Sequence, residues 1–188
     1  MKQNVVVTNS VEEMRDHLIS RHVDLELHKP SLTERVATFL MYNLSGEVVG
    51  YQRYTPSFPS FSSGDGRQSN VRDRRYYNYV SSGKIGSFGV ETFNLNVPCV
   101  FITEGVFDAC RLTRRGLCAI AMLTNNPSSS MKNFLKLLGK PIVAVCDDDK
   151  AGMKLRNSGH YFETVRDGKD LGECSEEFVD YLVRKYCR

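Results

Sequence analysis

From Val97 onward, short apolar runs alternate with stretches whose apolar residues recur every three or four positions. VPCVFIT (97–103), LCAIAML (117–123), PIVAVC (141–146) and HYFETVR (160–166) read as strands. GVFDACRLTRRG (105–116), SSSMKNFLKLLG (128–139), AGMKLRNSG (151–159) and SEEFVDYLVRKY (175–186) read as helices. Gly116 and Gly139 close the first two, the serines at 128–130 open the second, and Ser175 caps the last. Strands alternating with helices predict an α/β fold, a parallel sheet covered on both faces.

The first half has a different texture. VEEMRDHLIS (11–20) has a helical pattern, and RVATFLMYNL and VVGYQRYT flank Ser45-Gly46-Glu47 as a hairpin. PSFPSFSSGDGRQSNV (56–71) is rich in Ser, Gly and Pro and predicts a mobile loop. RYYNYV (75–80) predicts a further strand, followed by a glycine-rich turn at SSGKIG. Alternation along YYNYV sets Tyr77 and Tyr79 on one face and Tyr76 on the other.

Acids stand at the ends of the predicted parallel strands, where open α/β sheets gather their functional groups. The first strand of the second half runs into Thr103-Glu104-Gly105, the third into Asp147-Asp148-Asp149, and the fourth is followed by DGKDLGE, with Asp167, Asp170 and Glu173. In an extended segment Asp147 and Asp149 face one way and Asp148 the other. Carboxylates crowded together raise one another's pKa unless a cation neutralises them. A hard divalent ion such as Mg²⁺ suits all-oxygen donors, and two such ions roughly 4 Å apart support phosphoryl chemistry. A blander reading stays open at this point: DDDKAG as a solvated loop capping a helix, and DGKD as an ordinary turn.

Composition narrows the field. Of 188 residues 41% are hydrophobic and 25% charged, an ordinary globular balance, and the net charge of +3 is too small to demand a polyanion. Its distribution matters more. Residues 48–86 hold Arg53, Arg67, Arg72, Arg74, Arg75 and Lys84 against Asp65 and Asp73, interleaved with Tyr51, Tyr54, Tyr76, Tyr77 and Tyr79. Basic side chains track phosphates and aromatics stack on unpaired bases, so this stretch is a candidate nucleic-acid surface; a solvated hairpin with tyrosines in a small core is the alternative. Arg111, Arg114 and Arg115 share a helix face and are expected to be exposed. The six cysteines form no C-x-x-C pair, so a zinc ribbon is not expected, and they read as reduced thiols of an intracellular protein. MKQNVVVTNS is too short and polar for a secretory signal, and no run is long enough to span a membrane. There is no G-x-x-x-x-G-K-[ST] loop, and the four histidines are scattered.

Glu104-Gly105, then Asp147-Asp148-Asp149-Lys150-Ala151-Gly152, then Gly168-Lys169-Asp170-Leu171-Gly172-Glu173, resemble the Toprim family, the catalytic module of bacterial-type primases, topoisomerases and some nucleases. D-x-D-x-A-G followed by G-K-D-x-x-E is similar to the primase branch. The resemblance covers 97–175 and extends into the first half. There GEVVGYQRY supplies Arg53, RYYNYV supplies Tyr77 and Asn78, Lys84 stands where the primase lobe has a basic residue, and SFGVE supplies the aromatic-Gly-aliphatic close. It implies a small basic α+β lobe over 1–96 and a Toprim domain over 97–188. The usual G-K-D-P-D-E is here Gly-Lys-Asp-Leu-Gly-Glu, one acid fewer, and no zinc-binding or helicase segment accompanies the core. Such a compact form suits a phage-like genome.

What the resemblance implies is a primase that makes short RNA primers on single-stranded DNA by two-metal phosphoryl transfer. Asp147 and Asp149 would hold Mg²⁺ or Mn²⁺, Asp170 would help, and Glu104 would be a ligand or the acid/base. Arg53, Arg74, Arg75, Tyr77, Asn78, Lys84, Lys150 and Lys169 would contact nucleotide or nucleic acid. The implied partners are a single-stranded DNA template, ribonucleoside triphosphates and a separate replicative helicase, with no membrane, in a bacterial cytoplasm. A Toprim nuclease and a non-catalytic nucleic-acid-binding factor are the rivals.

Overall fold

A computed structural model of the protein describes residues 5–58, 74–124, 126–149, 152–165 and 170–187. Most of the predicted 56–71 loop lies outside the described residues, as do Lys150 and Lys169. Two four-stranded sheets carry the architecture.

The first is antiparallel, in the order β1 (Ser31–Leu32), β2 (Ala37–Tyr42), β3 (Val48–Tyr54), β4 (Tyr76–Val80). Helix α1 (Val11–Ser20) and the single turn α2 (Leu25–His28) precede it. Ser10 starts α1 by accepting the Glu13 N–H at 3.1 Å, and Asp24 caps α2. Strict alternation turns Ala37, Phe39 and Met41 of β2 inward and leaves Thr38, Leu40 and Tyr42 half-buried on the other face.

The second sheet is all parallel, in the order β6 (Ala119–Ala121), β5 (Val100–Thr103), β7 (Ile142–Asp147), β8 (Tyr161–Val165). Its central strands are buried on both faces, hence their near-continuous apolar runs. Helices α3 (Val106–Thr113) and α6 (Glu176–Tyr186) pack on Phe101, Val143 and Val145, whereas α4 (Ser129–Leu137) and α5 (Gly152–Arg156) cover Val100, Ile102, Ile142 and Ala144. β5 continues through α3 to one neighbour, β6, and α4 then carries the chain back across to β7 on the other side. The strand order reverses between β5 and β7, which opens a crevice above their C-terminal ends.

The sheets share one core. Met14, Leu18, Phe39 and Tyr54 of the first half cluster with Phe101, Phe107 and Leu112 of the second. Ser87-Phe88-Gly89 joins the two edges: Ser87 pairs with Tyr42 of β2, and Phe88 pairs with Ala121 of β6. Gly89 has φ of +89°, and a Cβ there would stand 2.0 Å from the Ala119 carbonyl oxygen, so only glycine fits. Buried His28 adds a second tie, bonding Glu91 and Thr113 at 2.8 Å each and packing on Phe88.

One expectation is corrected. Arg111 is buried at 6% exposure, because α6 and the turn before it close over that face of α3. Its guanidinium pairs with Glu176 at 2.7 Å and donates to the Cys174 carbonyl at 3.1 Å; Arg115 also pairs with Glu176, at 2.8 Å. These arginines fasten the last helix.

Candidate active site

The β5/β7 crevice collects the acids. Glu104 follows β5, Asp147 ends β7, Asp149 lies two residues on, and Asp170 opens a short 3₁₀ turn, Leu171–Glu173. Gly152 lets α5 start against the end of β7: a Cβ there would lie 2.2 Å from the Asp147 carbonyl oxygen. Asp149 Oδ1 accepts the Gly152 N–H at 2.6 Å, so the capping role is real and coexists with membership of the cluster. Asp148 is exposed.

Sequence reasoning missed Asp108. Its Oδ2 accepts the Gly105 N–H at 3.0 Å and its Oδ1 the Gly172 N–H at 3.1 Å, so one carboxylate ties the Glu104 loop to the Asp170 turn. The spacing Gly105-x-x-Asp108 was an available signal, since a third-position acid commonly bonds back to the helix-start N–H.

Burial and the neighbouring acids shift the titration of three of these groups. Burial pushes Asp108 up to about 7, with Asp170 and Asp147 adding to the shift against its two N–H bonds. Burial pushes Asp147 up to about 6, helped by Asp170, Glu104 and Asp149. Glu104 is raised by burial and then by Asp149. Five carboxylates from three sequence segments thus lie within electrostatic reach of one another, and no ion pair among the described residues neutralises any of them.

The first half forms the opposite wall. Arg21, at the end of α1, lies over the Phe107 ring at 4.5 Å. One of its terminal nitrogens comes 3.7 Å from where a Gly172 Cβ would be, with Asp108 Oδ1 3.6 Å from the same point. Arg75 is buried and donates to the Phe58 carbonyl at 2.7 Å. Both cations reach His17, whose pKa is lowered by burial first and by Arg21 and Arg75 after it. His17 bonds the Tyr54 hydroxyl at 2.8 Å, and Tyr54 stacks on Tyr76 at 5.3 Å, so Tyr54 and Tyr76 belong to this wall.

The remaining basic and aromatic candidates lie elsewhere. Arg53 and Tyr77 are paired across β3 and β4 on the sheet face turned away from the core. Asn78 accepts from the Gln52 side chain at 2.7 Å, and Arg74 and Lys84 are exposed.

No protein-family model matches the chain, nor does any curated protein sequence. Solved structures do. A DnaG primase catalytic domain bound to single-stranded DNA superposes with a TM-score of 0.57 at 16% identity, over 81% of this chain and 53% of that one. The RNA polymerase domain of Mycobacterium tuberculosis primase DnaG gives 0.59 at 16% identity, over 94% and 63%. A DNA primase domain from Pseudomonas aeruginosa gives 0.58 at 16% identity, over 95% and 60%. The fold is that of a primase catalytic core. This chain spans less than two thirds of the length of each of these three structures.

The donor set of the crevice suits a hard cation. All five side chains offer oxygen, none makes an ion pair among the described residues, and among those residues Asp170 Oδ1 is buried with no hydrogen-bond partner. Among the described residues no three His, Cys, Asp or Glu side chains converge closely enough, as they stand, to hold one ion. The described helices include none long and apolar enough to cross a membrane.

Proposed function

We propose that the chain is a primase-like nucleotidyltransferase that makes short RNA primers on single-stranded DNA, using Mg²⁺ or Mn²⁺. The observation that carries this reading is the placement of Glu104, Asp108, Asp147, Asp149 and Asp170 around the switch point of a parallel sheet, within electrostatic reach of one another and beside Arg21 at the end of α1. Residues 97–188 would be the catalytic Toprim lobe and residues 1–96 the nucleic-acid-holding lobe.

In this reading Asp147 and Asp149 hold the ions, with Asp170 contributing its unpartnered oxygen. The bound metals would supply Lewis acidity and neutralise the charge of the transferring phosphoryl group. Glu104, with its raised pKa, is either a further ligand or the base that takes the proton of the attacking 3′-hydroxyl, since a carboxylate shifted toward neutrality is the better base at working pH. Asp108 positions rather than reacts: it holds the two acid-bearing loops in register. Arg21 and Arg75 would give the facing wall a positive charge for triphosphate and template, Lys150 and Lys169 would add to it, and Arg74 and Lys84 would contact nucleic acid outside it. A helicase would deliver the single strand, in the cytoplasm of a bacterial cell.

The test is incubation with Mg²⁺ or Mn²⁺, single-stranded DNA and labelled ribonucleotides, beside an Asp147→Asn/Asp149→Asn double variant. New oligoribonucleotides that vanish in the variant support primer synthesis. Shortened DNA with no new product identifies a nuclease instead, and salt-sensitive DNA binding without turnover identifies a binding factor.

A further inference from the structure

The outer face of the first sheet carries an aromatic cluster that the acid site does not use. Across β3 and β4, Tyr51 stands directly opposite Tyr79 and Arg53 opposite Tyr77. Ring centroids of Tyr51 and Tyr79 are 5.4 Å apart, those of Tyr51 and Tyr77 are 6.2 Å apart, and the Arg53 guanidinium lies 5.3 Å from the Tyr77 centroid. Tyr79 is 46% exposed. The partner strand β2 presents Thr38 and Leu40 on this same face, beside Arg53 and Tyr51. No Asp or Glu occupies a strand position on the face among the described residues. Phe39, Tyr54 and Tyr76, on the opposite face, pack against Phe107 at the base of the acid crevice. The two faces therefore look in opposite directions.

We infer that Tyr51, Tyr77, Tyr79 and Arg53 form a stacking platform for single-stranded nucleic acid, a site separate from the acid crevice. Three tyrosines in one layer offer flat rings at both neighbouring and i, i+2 positions, the latter about 6.8 Å apart along a strand. Every base has a π-face, so such a layer holds single strands without reading sequence. The guanidinium and the absence of acids favour a polyanion over a neutral protein surface. The inference deepens the reading above by giving the strand a second hold on the sheet, and it is tested without catalysis.

The chain has nine tyrosines and no tryptophan, so its intrinsic fluorescence reports tyrosine stacking directly. Labelled single-stranded oligomers of roughly ten nucleotides, DNA and RNA, would be titrated by anisotropy and tyrosine quenching, beside a duplex of the same sequence. Expected are single-strand binding that quenches tyrosine, Tyr79→Ala weakening it roughly 5- to 100-fold, and Tyr79→Phe preserving it, because the ring and not the hydroxyl stacks. Asp147→Asn should bind the oligomer as the parent does. The inference is overturned by equal affinity of Tyr79→Ala and parent, by duplex binding as strong as single-strand binding, or by self-association of the parent that Tyr79→Ala abolishes. Primer synthesis with an unaffected Tyr79→Ala removes the platform and leaves the enzyme; tyrosine-dependent binding with no primer synthesis does the reverse.

Discussion

Removing metal should make stability fall as pH rises, which is unusual for a protein with this many carboxylates. Asp108 is raised from 3.8 to about 7 and Asp147 from 3.8 to about 6, both chiefly by burial. A folded-state pKa above the unfolded one means that the native state binds more protons between the two values, so stability declines through that window. The decline begins near pH 4, where the unfolded aspartates ionise, and is complete near pH 7. Each pKa unit corresponds to about 1.4 kcal/mol, so the two shifts bound the effect at roughly 7 kcal/mol. Asp147 is partly exposed and the two groups titrate together, so roughly half of that, about 3 kcal/mol over the whole window, is expected. Between pH 5 and pH 8 about three of those pKa units remain, so roughly 2 kcal/mol is lost over that interval, and for a domain of this size the Tm is expected to be roughly 4–8 °C lower at pH 8 than at pH 5. Calorimetry in chelator would measure it, with Mg²⁺ restoring most of the loss at pH 8 by neutralising the set. Asp108→Asn should flatten the slope. A Tm in chelator that is level or higher at pH 8, or a slope untouched by Asp108→Asn, would refute the idea that these acids crowd without a counter-charge.

Two further outcomes follow from local geometry. Asp148→Asn should keep most primer synthesis and Asp147→Asn should lose it by orders of magnitude, read in the ribonucleotide-incorporation assay; the opposite ranking would mean the strand-end geometry is wrong. Gly89→Ala should destabilise the fold by about 1–3 kcal/mol or more in urea titration, because it combines a left-handed backbone with a Cβ 2.0 Å from a carbonyl oxygen.

Much of the second half was legible because its signals are local. Apolar runs that end abruptly in acids mark strand ends, and parallel topology then brings Glu104, Asp147 and Asp170 to one rim. Alternation sorted the tyrosines of β4 correctly, Tyr76 toward the core cluster and Tyr77 and Tyr79 away from it. What stayed hidden depends on packing between distant segments. Asp108 looked like one polar residue in a helix, and its role emerges only when residue 172 is brought against it. Arg111 has the spacing of an exposed face, and α6, more than sixty positions later, covers it. Arg21 is unremarkable in the chain and meaningful only because the end of α1 is set beside Phe107 and the Asp170 turn.

The stitch at Ser87-Phe88-Gly89 constrains how the two sheets can move against each other. Hydrogen bonds join this segment to β2 on one side and β6 on the other, and no space remains even for a methyl group at its glycine. A clamshell motion of one sheet against the other would have to tear that seam. Under the proposed function, strand and nucleotide would have to enter without the two sheets swinging apart.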